Sequence, residues 1–385
     1  MIPYGRQSIS QEDVDTVVET LKSDFLTQGP RVPAFEAAIA NKVSAAHAVA
    51  VNSATSALHI AVASLGLGEG DLLWTTPITF VASANCARYV GADVDFVDID
   101  PETFNMSPAA LALKLEDAKS KGRLPKVIVP VHMSGQSAAM RELAELARPL
   151  GIRIVEDASH AVGGDYEGSP VGACLYSDIT VFSFHPVKII TTAEGGVAVT
   201  NSDELAHKMN LLRSHGITRE TNLMTQEPDG PWYYQQIELG WNYRMTEVQA
   251  ALGSSQLVRL DEFVDRRNLL AERYDELLAD MPIELPGRQA RTRSSFHLYI
   301  IRLLESDKGR HRHIFEQLRK AGIGVNLHYI PVHLQPYYRE LGFAEGDFPV
   351  SEDYYDRAIS IPLYHSLSDD DQLVVVDAIR AALTI

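Results

Sequence analysis

Cysteine is scarce in this chain of 385 residues, which contains only Cys86 and Cys174. The two form no C-x-x-C pair, so neither a disulfide framework nor a zinc site is indicated, and both are expected to be small packing residues. The sequence also lacks an apolar run of about 18 residues, which argues against a membrane-spanning helix. No apolar stretch accompanies the charged residues near the N-terminus, so we expect no signal peptide and a cytoplasmic protein.

Positive charge is in short supply. Lys and Arg number 34 against 51 Asp and Glu, which gives a net charge of −17 and argues against sequence-independent nucleic-acid binding, because such binding needs a basic surface. A diphosphate ligand would have to be bound by local donors such as helix N-termini, backbone amides, His and Arg. Cysteines and carboxylates at metal-ligand spacing are also lacking, so no metal is predicted.

Strand-like and helix-like segments alternate from about residue 47 to 200, after an N-terminal arm of about 35 residues. This alternation predicts a mainly parallel seven-stranded sheet with helices on both faces. The strand candidates are 47–52, 72–76, 94–98, 126–132, 152–156, 179–184 and 196–200. The helix candidates between them are 54–66, 80–90, 107–121 and 137–150.

The pattern changes after a polar stretch at 216–240. Thr246-Glu-Val-Gln249 resembles a capping box and opens a helical pattern that extends to about Leu278, with a kink expected near Gly253. We therefore predict two units: an arm and large α/β domain over 1–250, and a long helix with a small α+β domain over 251–385. The elements expected in the small domain are strands 296–303 and 324–329 and helices 311–321 and 369–383.

One segment is especially informative: a short apolar run from Val181 ends at a single lysine, Lys188, before small and hydroxyl residues and Gly195-Gly196. Lysine is rarely buried as packing unless it is paired or functional. An amine that loses its proton in a shielded site can form a Schiff base with a carbonyl compound such as pyridoxal phosphate. A solvated loop lysine is the alternative.

Two further segments supply what pyridoxal phosphate (PLP) would need. Asp157 stands at the end of a predicted strand, where open α/β sheets bind ligands, and a carboxylate against the pyridine nitrogen makes the ring a better electron sink. At Asn52-Ser53 a β-branched run turns into a helix, whose free N–H groups and the hydroxyls of Thr55 and Ser56 suit a phosphate, with Ser183 as a further donor. Ordinary helix caps are the alternative for both segments.

Together these residues resemble the PLP-dependent sugar aminotransferases of the DegT/DnrJ/EryC1/StrS family, over nearly the whole chain. The resemblance implies a fold-type I aminotransferase that works as a homodimer with shared active sites. Because some relatives carry histidine in place of Lys188 and dehydrate their substrates, the lysine favours transamination. The matching segments are Leu26–Gly29, Asn52–Ser56, Thr76–Phe80, Glu156–His160, Phe182–His185, Arg213–Gly216 and Gly240–Met245.

The resemblance also implies roles for individual side chains. Lys188 is the catalytic residue, Phe80 stacks on the cofactor ring, and His160 lies beside its hydroxyl, with core packing or capping as the alternative for the last two. Asn242 reaches the cofactor phosphate of the partner subunit. The full set of implied cofactor-binding residues is Thr55, Ser56, Phe80, Asp157, His160, Ser183, Lys188 and Asn242.

For the substrate, the segments Lys188–Gly196 and His328–Pro331 look most like the pseudaminic-acid branch of the family. Enzymes of that branch aminate C4 of a UDP-linked 4-keto-2-acetamido-2,6-dideoxy sugar with L-glutamate as the amino donor. The histidines His297, His311, His313 and His333 are expected to be surface or structural residues, whereas His215 is a further candidate for anion contact. The implied substrate contacts are Tyr4, Asp24, Phe25, Leu26, Thr27, Arg213, His328, Tyr329, Ile330 and Pro331.

Three alternatives stay open. The substrate could be a dTDP- or GDP-linked 3- or 4-keto sugar or a cyclitol ketone, because the motifs around the cofactor do not separate these. A Rossmann-type NAD-dependent sugar oxidoreductase would also have an α/β sheet, but no G-x-G-x-x-G follows an early strand. A non-catalytic relative that regulates or scaffolds is disfavoured by the presence of both Lys188 and Asp157.

Overall fold

The computed structural model describes residues 1–304 and 308–384. The strands, in chain order, are β1 (His47–Val51), β2 (Leu72–Thr75), β3 (Asp93–Phe96), β4 (Val127–Val129), β5 (Arg153–Asp157), β6 (Asp165–Tyr166), β7 (Ser169–Pro170), β8 (Ile179–Ser183), β9 (Gly196–Thr200), β10 (Ile217–Thr218), β11 (Gln235–Gln236), β12 (Ile283–Glu284), β13 (Thr292–Arg293), β14 (Tyr299–Leu303) and β15 (Ala358–Ile361).

The helices are α1 (Gln11–Leu21), α2 (Arg31–Val43), α3 (Ala54–Ser64), α4 (Ala82–Tyr89), α5 (Pro108–Ser120), α6 (Met140–Ala147), α7 (Asp203–Arg213), α8 (Glu247–Val258), α9 (Leu260–Leu278), α10 (Lys308–Lys320), α11 (Pro336–Arg339), α12 (Pro349–Arg357) and α13 (Asp369–Leu383). Short 3-10 turns lie at Met133–Gly135, Arg148–Leu150, Thr221–Leu223 and Val332–Leu334. Within the described ranges, none of these helices is long and apolar enough to span a bilayer.

The main sheet has seven strands in the order β1-β9-β8-β5-β4-β2-β3. The run β8-β5-β4-β2-β3 is parallel throughout, and β9 is antiparallel to both of its neighbours. This confirms the predicted mainly parallel seven-stranded sheet, and each predicted strand lies within a few residues of an observed one. Parallel strands are buried on both faces, which explains why they appear in the sequence as continuous apolar runs.

Helices cover both faces of this sheet. Along β8, successive side chains point to opposite faces, so Val181 packs in one cluster with Leu58 of α3, whereas Phe182 packs in another with Phe35 of α2 and Phe263 of α9. The two clusters are hydrophobic cores on either side of one strand. Packing on both faces holds β8 in place and so positions the residues that follow it at the edge of the sheet.

The N-terminal arm is anchored to α8 and the start of α9 by the buried carboxylate of Asp13. The Ser10 cap and Asp13 form a capping box at the start of α1. The same carboxylate accepts hydrogen bonds from Gln256 at 2.6 Å and Arg259 at 2.7 Å. Burial works to raise the pKa of Asp13, but the hydrogen bonds from Ser10, Ser255 and Gln256 outweigh it and lower the pKa.

The long helical pattern after Thr246 is two helices, which meet at Arg259. The capping box of Thr246 and Gln249 is present, but the expectation of a kink near Gly253 is wrong, because α8 continues through that residue. A Cβ on Gly253 would lie 2.6 Å from the methyl of Thr192 and 2.8 Å from the Phe35 ring. The glycine therefore serves close helix packing and not a bend.

The C-terminal part packs α9, α10 and α13 around a three-stranded antiparallel sheet in the order β12-β14-β15. The predicted helix 369–383 is confirmed, but the predicted strand 324–329 is wrong. Only Asn326 pairs there, in an isolated bridge with Ser360. The side chain of Asn326 accepts the N–H of Leu327, and such local hydrogen bonds compete with a strand ladder. The division of the chain at residue 250 stays a prediction.

Candidate active site

A cavity of about 450 Å³ opens at the edge of the sheet where β5 and β8 end and α3 begins. Ligands of open α/β sheets bind at this edge, beyond the carboxyl ends of the strands. The N-terminal arm and the segment after Asn326 each contribute residues to the cavity wall. The sequence-predicted site residues that line it are Tyr4, Thr55, Phe80, Asp157, His160, Ser183, Lys188, His328 and Tyr329.

Lys188 lies in the loop that follows β8, with its backbone N–H bonded to the carbonyl of His185 at 2.9 Å. Burial lowers the pKa of the ammonium to about 8, and the negative charge of Asp157 opposes only part of that fall. A lysine near neutral pKa holds an appreciable fraction of nucleophilic free amine, which Schiff-base chemistry requires. The position and the pKa of Lys188 therefore fit a covalent attachment point for a carbonyl cofactor.

Asp157 is the last residue of β5 and is buried. One carboxylate oxygen accepts a hydrogen bond from Ser83 at 2.5 Å, and the other accepts the N–H of Ser159 at 3.1 Å. Both contacts fix the orientation of the carboxylate, whose oxygens accept the two hydrogen bonds. A fixed anion in the same cavity as the lysine suits a protonated ring nitrogen.

The start of α3 supplies donors for a phosphate. Ser53 caps the helix by accepting the N–H of Ser56, and the Ser56 hydroxyl donates to Asn52 at 2.7 Å. The cavity wall is therefore formed by Ser53, Ala54 and Thr55, with the Ser56 hydroxyl turned inward to its neighbours. Ser53 was not among the predicted site residues, although its place at the strand-to-helix turn is the usual one for an anion contact.

Aromatic rings form the rest of the wall. Phe80 is 58% exposed over the cavity, with its ring 6.2 Å from that of Tyr329. The hydroxyl of Tyr329 lies 3.1 Å from Nε2 of His160. An exposed phenylalanine beside a polar cavity is a ready surface for stacking a flat ligand ring.

Three histidines surround the lysine. Burial, with a smaller effect from Lys188, lowers the pKa of His160 well below its ordinary value and that of His328 to about 3. His297 was expected to be a surface or structural residue, but it lines the cavity, with its ring 4.4 Å from that of His160. The signal that could have found it is a polar residue in the apolar run Phe296–Leu303.

The other histidines behave as expected. His333 is buried and bonded to Glu352 at 2.9 Å, and His311 contacts the carbonyl of Ala358. His313 is exposed on α10. In the described part of the chain, no group of three His, Cys, Asp or Glu residues could hold a metal ion.

Several predicted site residues lie elsewhere in this single chain. Asn242 is exposed, and its backbone forms a bridge with Ser214. The guanidinium of Arg213 donates to the carboxylate of Glu36 and to the carbonyl of Ala50, away from the cavity. The predicted substrate contacts found outside the cavity wall, most of them exposed, are Asp24, Phe25, Leu26, Thr27, Ile330 and Pro331.

The residues that do meet form a set that fits PLP. An amine of lowered pKa, a fixed carboxylate, a helix start with hydroxyls and an exposed ring face one cavity. In addition, Nδ1 of His160 is buried without a hydrogen-bond partner among the described residues. A buried polar atom of this kind is expected to bind a ligand group or water.

Comparison with known proteins points the same way. The DegT/DnrJ/EryC1/StrS aminotransferase family matches residues 7–380. The UDP-4-amino-4,6-dideoxy-N-acetyl-beta-L-altrosamine transaminase of Campylobacter jejuni is 37% identical over 390 residues, 100% of this chain and 98% of that one. The structure of Helicobacter pylori PseC, an aminotransferase involved in the biosynthesis of pseudoaminic acid, has a TM-score of 0.91 at 32% identity and covers 100% and 99% of the two chains.

A sugar aminotransferase structure from Streptococcus pneumoniae, Spr1654 in its PLP form, has a TM-score of 0.91 at 30% identity and covers 100% of this chain and 98% of that one. The family match, the sheet order and the cavity agree on both fold type and cofactor. The chain therefore belongs to the DegT/DnrJ/EryC1/StrS aminotransferase family and is a PLP-dependent sugar aminotransferase of fold type I.

Proposed function

We propose that this enzyme transfers the amino group of L-glutamate to C4 of a UDP-linked 4-keto-2-acetamido-2,6-dideoxy sugar. The product would be of the UDP-4-amino-4,6-dideoxy-N-acetyl-altrosamine type, as in the pseudaminic-acid pathway. The likeness to the Campylobacter transaminase and to PseC over the full length of the chain supports this substrate class. The observation that carries the reaction type is Lys188, with its pKa lowered to about 8, in one cavity with Asp157.

When bound, PLP withdraws electrons from the substrate carbon that carries the nitrogen, so that a proton can leave that carbon or return to it. The Lys188 amine is the group placed to take up and return this proton, and a pKa near the working pH suits a general base. Asp157 would hold a positive charge at the ring nitrogen, and Thr55 and Ser183 would hold the phosphate. Phe80 would stack against the ring face.

Three uncharged histidines are proposed to recognise the polar groups of the sugar substrate. With their pKa values far below neutral, His160, His297 and His328 present uncharged nitrogens to the cavity. Uncharged imidazoles both donate and accept, which suits the hydroxyl, carbonyl and acetamido groups of a sugar. They also avoid an unpaired charge in a buried site when the substrate leaves.

The nucleotide is proposed to lie outside the cavity. A volume of about 450 Å³ is at the small end of ligand pockets, and PLP with a sugar ring uses most of such a space. The diphosphate and base would extend past Tyr4 and the segment His328–Pro331, where Ile330 is 46% exposed. We further propose a cytoplasmic homodimer, in which Asp24–Thr27 of the exposed loop between α1 and α2 contributes to substrate binding.

The visible absorption spectrum tests the donor and the cofactor chemistry together. Addition of PLP to the purified protein should give a band that L-glutamate removes, while the Lys188→Ala variant gives neither change. A panel of UDP-linked and dTDP-linked 4-keto sugars, added to the glutamate-treated enzyme, then identifies the acceptor. Faster return of the band with a dTDP- or GDP-linked sugar than with the UDP-linked one would favour the alternative substrates.

A further inference from the structure

Asp157 is held by a relay of hydroxyl groups that begins outside β5. Ser83, in the first turn of α4, donates to a carboxylate oxygen of Asp157 at 2.5 Å. The hydroxyl of Thr79 lies 2.7 Å from the hydroxyl of Ser83. All three side chains are buried, with 1% exposure for Thr79, 0% for Ser83 and 5% for Asp157.

The donor in each hydrogen bond of this relay follows from the fact that its last member is a carboxylate. An ionised carboxylate can only accept, so the single hydroxyl proton of Ser83 is directed to Asp157. Among the described residues, the only other acceptor near that proton is the carbonyl of Phe80, which is 3.4 Å away, where a hydrogen bond is weak. Ser83 can then only accept from Thr79, and the protons run from Thr79 to Ser83 to Asp157.

The two oxygens of Asp157 thereby have different surroundings. One is bonded to Ser83 inside the protein, and the other accepts the backbone N–H of Ser159 at 3.1 Å, on the side of the cavity. A hydrogen bond from a buried hydroxyl fixes the rotation of the carboxylate. One orientation of the carboxylate is thus selected before any ligand enters.

We propose that Ser83, itself held by Thr79, is a positioning residue that orients the carboxylate of Asp157 for the pyridine nitrogen of PLP. The proposal rests on the role of Asp157 proposed above. The same five-residue stretch carries Phe80, whose exposed ring lines the cavity. The segment from Thr79 to Ser83 would therefore position both the phenyl ring that stacks on the cofactor and the carboxylate of Asp157 at the pyridine nitrogen.

The proposal predicts a loss of cofactor affinity without a loss of any direct contact. In the full-length protein, Ser83→Ala should weaken PLP binding about tenfold, because a hydrogen bond to a charged group is lost. Thr79→Val should weaken it about threefold, and Ser83→Thr, which keeps the hydroxyl, should stay close to the wild type. Ser64→Ala is the matched control, since that buried serine on α3 donates only to the carbonyl of Ala61.

The measurements are PLP titration of the protein stripped of cofactor, the pH at which the visible band of the bound cofactor titrates, and thermal unfolding of the stripped protein. The band should titrate at a different pH in Ser83→Ala than in the wild type and in Ser64→Ala. A merely structural serine would lower the unfolding temperature and leave this pH unchanged.

A double-mutant cycle with Asp157→Asn separates the relay from the role of Asp157. In the Asp157→Asn background, Ser83→Ala should add less than about a twofold effect, since its target is gone. An equal effect in both backgrounds, or wild-type affinity in both Ser83→Ala and Thr79→Val, would overturn the relay. Wild-type affinity of Asp157→Asn alone would instead overturn the proposed role of Asp157. If Ser83→Ala does not fold, Thr79→Val carries the same cycle.

Discussion

Lys188 shares its cavity with Asp157, and the carboxylate offsets only part of the fall in the lysine pKa that burial causes. Desolvation therefore has a larger effect on the pKa of Lys188 than the negative charge of Asp157 has. A nucleophilic amine and a fixed carboxylate therefore line the same cavity.

Replacement of Lys188 by alanine should abolish transamination, with a loss of at least about a thousandfold, because both the covalent attachment and the proton transfer depend on its amine. The fold should be preserved, since the side chain is only partly buried and makes no hydrogen bond that supports the sheet within the described residues. Turnover by a coupled glutamate assay and circular dichroism check the two parts. Lys119→Ala, on the exposed face of α5, is the control, and retained turnover in Lys188→Ala would contradict the mechanism.

The stability of the cofactor-free protein should depend on pH through the same lysine. A lysine with a folded-state pKa of about 8 against 10.5 costs up to about 3 kcal/mol of folding free energy below pH 8. The cost falls as the pH rises from 8 to 10.5, where the unfolded lysine also loses its proton. Lys188→Met should therefore be the more stable protein at pH 7 and no more stable than the wild type near pH 11. Urea unfolding at several pH values measures the difference, and a pH-independent difference would contradict it.

Arg213 was predicted to contact the substrate, but its position favours a structural role. Its guanidinium and the carboxylate of Glu36 form a half-buried pair, and Glu36 also accepts the N–H of Ala50 in β1 at 2.7 Å. Removal of the arginine leaves an unpaired carboxylate, so Arg213→Ala should cost about 2 kcal/mol of unfolding free energy. The KM for the sugar should not change. A raised KM without loss of stability would restore the role in substrate binding.

Much of the fold and of the cofactor site could be predicted from the sequence. The buried parallel strands appear in the sequence as separate apolar runs. Asp157 is the last residue of one of them, β5, and Lys188 lies in the loop that follows another, β8. The residues at the ends of adjacent strands must meet at the same edge. Local pattern is therefore enough to place the lysine, the carboxylate and the start of α3 together.

Other features depend on contacts that the sequence does not contain. Gly253 reads as a hinge, but it is required by the approach of Thr192 and Phe35, which are distant in the chain. His297 joins the site because Arg267 donates to the carbonyls of Phe296 and His297 and fixes that turn beside the cavity. Asn242 and the loop 24–27 were placed at the site by family resemblance alone, and neither lines the cavity of this single chain.

Subunit complementation tests the proposed homodimer with shared sites. If Asn242 binds the cofactor phosphate of the partner subunit, Asn242→Ala and Lys188→Ala should each lose most activity as separate homodimers. After mixing, subunit exchange should restore about a quarter of wild-type activity, since half of the dimers are mixed and each of these has one intact site. No recovery, although mass measurement confirms mixed dimers, would place Asn242 in its own subunit's site or outside it.

At Gly253, close helix packing and helix propensity predict opposite effects of a substitution by alanine. In the middle of a helix, Gly→Ala ordinarily stabilises by about 1 kcal/mol. Here the new methyl would lie 2.6 Å from Thr192 and 2.8 Å from Phe35, closer than real Cβ atoms approach. Gly253→Ala should therefore destabilise the protein, by about 1–3 kcal/mol as overpacked cores do.

Because Thr192 follows closely on Lys188, a displacement of Thr192 by the new methyl group should also weaken PLP binding. Gly253→Ala combined with Thr192→Ser, which removes the opposing methyl, should recover part of both losses. An increase in stability on Gly253→Ala alone would mean that α8 moves away from Thr192 at little cost.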